Sequence, residues 1–131
     1  MEISDSQFEQ YVDEAWQKIP EKFRKELGNV TVMIEMEPAA YQLRKVRARG
    51  TLLGLYEGVP NTVWGQAVAG AQPGKITLYQ RSIIRFSRDV KRLKNLILKV
   101  LMHEVAHHFG YSEDDMCVMD RKLMKKLNES N

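Results

Sequence analysis

Near the N-terminus, Phe8, Tyr11, Val12, Ala15, Trp16 and Ile19 recur at helical spacing and make one broad apolar face. Ser4 or Asp5 is placed to cap that helix. Pro20 stands where a second, short helix starts and Gly28 where it stops. The period then changes. Val30 to Met36 is short and β-branched, which predicts a strand closed by Pro38. Residues 38–49 are ambiguous, with Ala39, Ala40 and Leu43 favouring a helix that Gly50 ends. Thr51 to Tyr56 predicts a second strand, in which Gly54 marks a bulge or a close backbone approach. A turn is expected at Gly58 to Asn61, an extended piece at Thr62 to Ala69 and a loop at Gly70 to Gly74. Ile76 to Tyr79 reads as a third strand, and Ser82 to Phe86 as a turn of helix.

Ser87 or Asp89 opens a long helix whose core face is Val90, Leu93, Ile97, Val100, Leu101 and Val105, stopped by Gly110. Ser112 with Glu113, Asp114 and Asp115 signals another helix N-terminus. Met116, Met119, Leu123, Met124 and Leu127 give that final helix its apolar face. Helices at both ends around three strands make the class α+β, in a single domain over residues 1–131.

Composition changes this picture little. At 131 residues, 44% hydrophobic and 28% charged, the chain is long enough to bury one core without staples. One cysteine, Cys117, rules out an internal disulfide and fits a reducing, cytoplasmic setting, with the thiol read as a small buried apolar group. Residues 1–10 have neither the basic nor the apolar region of a signal peptide, and no apolar run is long enough for a membrane span. The net charge is only +3, but it is uneven. Arg81, Arg85, Arg88, Lys91, Arg92, Lys94 and Lys99 follow the third strand, and Arg44, Lys45, Arg47 and Arg49 lie earlier, against an acidic first third. Solvated faces and pairing with those acids are the reading adopted; nucleic-acid binding rests on charge alone and is not expected.

All three histidines fall in one stretch, His103-Glu104-Val105-Ala106-His107-His108. Four helical residues turn about 400° and rise about 6 Å, so His103 and His107 share a face and can share one zinc. Glu104 is too close in sequence to the first ligand to reach the metal easily, but it can reach a water held in front of it. That is the HExxH arrangement, with the glutamate as general base. Gly110 lets the chain leave the helix and turn back. Glu113, six residues after His107, stands where HExxHxxGxxH sites hold a third ligand, with Asp114 and then Asp115 as alternatives. The same acids also suit the first turn of the next helix. His108 is about 100° round from His107 and is read as packing or the rim of the pocket. Tyr79, Arg81 and Tyr111 are candidate donors to a developing oxyanion.

Leu52-Leu53-Gly54-Leu55-Tyr56-Glu57-Gly58-Val59-Pro60 resembles the LLGLYEGVP stretch of the small bacterial zincin-like metallopeptidases, or minimal zincins. Ile76-Thr77-Leu78-Tyr79 with Arg81 and Ile83, and Leu101 to Gly110 followed by Ser112 to Asp115, resemble two further segments of that family. The resemblance implies a small mixed sheet of three to four strands, packed with an N-terminal helix, an active-site helix and a C-terminal helix. It implies zinc on His103, His107 and an acid after Gly110, with Glu104 as base, acting on a peptide or protein. It also implies an edge strand beside the cleft that pairs with extended substrate, for which Ile76 to Tyr79 is the candidate, with Ile76, Leu78 and Tyr79 as substrate-binding residues. Residues 44–49 and 61–64 depart from the family pattern and bear on the partner or the cleft rim.

Overall fold

In the computed structural model of the protein, the described residues are 1–28, 30–45, 52–58 and 74–109, with the backbone alone described at 43–45. Ser4 caps α1 (Asp5–Lys18): its hydroxyl accepts from the Gln7 N–H, and the Gln7 side chain accepts from the Ser4 N–H. Two N–H groups that a helix end leaves unsatisfied are met by this reciprocal pair. The expected face is buried at Phe8, Val12, Ala15 and Ile19, with Tyr11 and Trp16 packed against it. Pro20 caps the short α2 (Glu21–Glu26). Then come β1 (Thr31–Glu35), α3 (Ala40–Lys45), β2 (Gly54–Glu57), β3 (Lys75–Tyr79), α4 (Gln80–Arg85) and α5 (Val90–His108).

The sheet is mixed, in the order β1-β3-β2. β1 runs parallel to β3, pairing Thr31 with Lys75 through Glu35 with Tyr79. β2 runs antiparallel, pairing Gly54 with Leu78 through Glu57 with Lys75. The parallel pair needs a crossover and the antiparallel pair does not, which fits the chain order. Ile76 and Leu78 face α1 and α5 across one core with Phe8, Leu93, Ile97 and Leu101. An α+β minimal zincin-like architecture is thus observed.

Two expectations are corrected here. Ile76 to Tyr79 is not an edge strand: β3 is hydrogen-bonded on both sides, and Ile76, Leu78 and Tyr79 are fully buried. A strand whose N–H and C=O groups already serve two neighbours has none left for a peptide. Val90 does not face the core. It is the first residue of α5, beyond the packed layer, and is 39% exposed. Asp89 caps α5 by accepting from the Arg92 N–H. The basic run after β3 is partly neutralised as the charge balance suggests, with Arg81 and Arg85 on Glu37, Arg92 on Asp89 and Lys94 on Glu14. No helix among the described residues is long and apolar enough to cross a membrane. The expectations for residues 46–51 and 59–73, and for Gly110 through the C-terminal helix including Cys117, lie outside the described residues.

Candidate metal centre and active site

His103 and His107 lie in the last two turns of α5. Their ring centroids are 4.9 Å apart, with the planes at 76°. Glu104 stands beside them, with Oε1 4.0 Å from His107 Nε2. The donor atoms of the three residues all lie within 4.8 Å of one another, the only such group of histidine, cysteine and acid side chains among the described residues. Tetrahedral zinc at 2.0–2.1 Å needs two donor nitrogens about 3.4 Å apart. Small rotations of two partly exposed imidazoles close that distance. Two imidazole nitrogens are donors that zinc accepts, and Glu104 stands where it can reach a water held in front of the ion, so the residues present fit it.

Glu104 is held differently from the histidines. Its side chain is only 9% exposed, against 38% for His107. The reason is β2. A Cβ built on Gly54 would lie 2.6 Å from Val100 Cγ1, 3.3 Å from Thr77 O and 3.4 Å from Glu104 Cγ. The missing side chain is what lets the strand lie directly on α5. Gly54 therefore marks the close approach expected of it; its ladder with β3 runs without a bulge. The chain just before β2 is tied in as well, since Tyr79 N–H donates to Leu53 O at 3.0 Å.

In front of Glu104, between Leu52, Leu53 and Gly54 on one side and Leu96, Lys99, Val100 and His103 on the other, runs an open cleft of about 300 Å³. Lys99 was not anticipated. Its signal was its position one turn before His103, on the same helix face. A larger cavity, about 630 Å³ between α1 and β1, does not touch these residues.

His108 is not on the cleft. It is buried on the β2 side of α5, where its Nδ1 shares a hydrogen bond of 2.9 Å with the Tyr56 hydroxyl. The two rings meet edge to face at 5.5 Å. Burial lowers the His108 pKa and raises that of Tyr56. Gly58, at φ 149°, and Gly74 leave room for the Tyr56 ring: a Cβ on either would come within 3 Å of it. His108 thus braces the end of α5 against β2; of its two readings the structure shows packing, and it does not form the rim of the cleft as a substrate-binding residue would.

Tyr79 is buried on the other face of the sheet, and its hydroxyl has no hydrogen-bond partner among the described residues. Burial first, then the nearby Glu35 and Glu57 carboxylates, push its pKa far up. Arg81 lies on the surface against Glu37 at 3.2 Å and does not line the cleft. Of the predicted residues, the structure brings together His103, Glu104 and His107. Glu113, Asp114 and Tyr111 lie outside the described residues.

The sequence pattern of the zincin-like metallopeptidases matches residues 27–122, which span β1 to β3 and the whole of α5. The chain belongs to the zincin-like metallopeptidase family. A search of curated proteins finds no match. Among solved structures, the fold is similar to that of a conserved hypothetical protein from Thermus thermophilus. The TM-score is 0.54 at 23% identity, over 82% of this chain and 94% of that one. The likeness is one of overall fold.

Proposed function

We propose that this zincin-like protein is a zinc-dependent metallopeptidase. The observation that carries the reading is the placing of Glu104, a nearly buried carboxylate set beside the two imidazoles and opening onto a cleft. His103 and His107 would hold the ion, with an acid from Glu113 or Asp114 as third ligand. Zinc bound there would supply Lewis acidity, bringing a water's pKa towards neutrality and polarising a carbonyl. Glu104 Oε1 takes the proton of the attacking water and returns it to the nitrogen of the leaving amine. The close approach of Gly54 to its Cγ holds the carboxylate for both transfers. With β3 enclosed, the strand beside the cleft is β2, an edge of the sheet packed on α5. An extended peptide adding to β2 would cross in front of His103 and Glu104.

The test is cleavage of a peptide library followed by mass spectrometry, with zinc content measured on the same samples. Glu104→Gln should retain zinc and lose at least about 100-fold in turnover, the usual worth of a positioned base. Undiminished turnover in that variant would sink the mechanism. Wild-type protein that holds zinc but cuts nothing would favour a non-catalytic metal-binding domain on the same fold.

A further inference from the structure

The other edge of the sheet has chemistry of its own. Thr31 N–H donates to Gly74 O at 3.0 Å, so Thr31, Met33 and Glu35 turn their backbone groups towards β3. By the alternation of a parallel ladder, Val32 and Ile34 turn theirs outward. No hydrogen bond reaches those outward groups among the described residues. Proteins commonly blunt such an edge with lysine, proline or a bulge. β1 has none of these between Thr31 and Glu35.

A groove of about 630 Å³ runs along this edge, between β1 and α1. Its floor is apolar, formed by Val12, Trp16, Val32 and Ile34. Its rim on α1 is acidic, with Glu9 and Asp13 one turn apart on one face of the helix. Both are exposed, and neither has an ion-pair partner among the described residues. Met33, which also lines the groove, is 42% exposed and Met36, just beyond the strand, 44%, extending the apolar surface with adaptable side chains.

We propose that this groove docks an extended, positively charged segment of a partner protein, which joins the sheet as a further strand beside β1. Backbone pairing with Val32 and Ile34 gives register. The floor takes alternate apolar side chains, and Glu9 and Asp13 take the basic ones. A second copy of this chain meets the edge less well, because antiparallel pairing through a two-fold brings Glu9 and Asp13 near their own copies. The surface is separate from the cleft, since β1 and β2 lie on opposite sides of β3.

The test is calorimetric titration of the full chain with a capped peptide of alternating lysine and valine. Two control peptides are used: one with aspartate for lysine, and one N-methylated on alternate residues so that it cannot pair with a strand. The lysine peptide should bind, and each control should bind at least about tenfold more weakly. Glu9→Lys combined with Asp13→Lys changes only exposed residues. It should weaken the lysine peptide by a similar factor with an unchanged unfolding midpoint. The proposal is overturned by no binding, by equal binding of the lysine and aspartate peptides, or by indifference to N-methylation or charge reversal. Sedimentation showing a dimer that the lysine peptide dissolves would assign the edge to a second copy and overturn it too.

Discussion

Gly54→Ala tests the packing that holds Glu104. The added methyl would sit 2.6 Å from Val100 Cγ1, where carbon atoms prefer about 3.5–4.0 Å. Roughly 1 Å of movement must be found by one of three neighbours. Val100 is buried, so turning its side chain drives it into other core atoms. Thr77 O, at 3.3 Å, belongs to the central strand. The remaining neighbour is Glu104 Cγ at 3.4 Å. Overpacking of this kind costs about 1–3 kcal/mol. In urea that lowers the unfolding midpoint by about 1 M with an unchanged slope. If the shift falls on Glu104, catalysis should suffer beyond the loss of folded protein, because about 1 Å of misplacement can cost about 100-fold. Val100→Ala removes the opposing methyl groups, so the double variant should be more stable than the sum of the single changes by at least about 0.5 kcal/mol. The assays are urea unfolding of all four proteins and peptide cleavage at matched folded fraction. A Gly54→Ala protein within about 0.5 kcal/mol of wild type, or additive effects in the double variant, would refute the close approach as the device that places Glu104.

Tyr79→Phe should leave stability unchanged or raise it, since the hydroxyl it removes is buried without a partner among the described residues; a loss above about 1 kcal/mol in urea unfolding would contradict this. It should also leave peptide cleavage unchanged, whereas an oxyanion donor would lose it. The wild type should lose stability as pH rises past about 10. The unfolded phenol ionises there while burial keeps the folded one protonated, so the unfolded state holds fewer protons and stability falls with pH; alkaline urea titrations of wild type and Tyr79→Phe should diverge. Tyr56→Phe should cost about 1–3 kcal/mol in urea unfolding, because it leaves buried His108 Nδ1 without its bond; a neutral result would show that the bond does not brace α5.

Much of the fold was legible because local and tertiary preferences agree. Ser4 and Gln7 form the cap their spacing predicts, and the apolar face from Phe8 to Ile19 goes to the core. The HExxH geometry was legible for the same reason: a helix fixes what four residues of separation mean, and α5 continues through His107. What a strand sits between is another matter. Ile76-Thr77-Leu78-Tyr79 identifies itself as a strand, but its neighbours come from residues more than a turn or a hairpin away. One signal was present. The segment does not alternate apolar with charged residues, and all four are buried, as in a strand covered on both faces. Periodicity also placed Val90 on the core face without saying where along the helix the core begins.

The corrected strand order sharpens the site. With β3 in the centre, the sheet has two edges with different surroundings. β2 lies on α5, and the bare backbone of Gly54 touches Val100 and Glu104. β1 lies against α1, with Glu9 and Asp13 on the rim. Only the β2 edge has the imidazoles in reach, because the cleft that contains His103 and Glu104 is walled by Leu52, Leu53 and Gly54. The glycine in the LLGLYEGVP stretch and the glutamate of HExxH are therefore one construction: each residue's position is explained by contact with the other. Glu104 needs a neighbour without a side chain if it is to be both buried and aimed at the cleft, and β2 supplies that neighbour at Gly54.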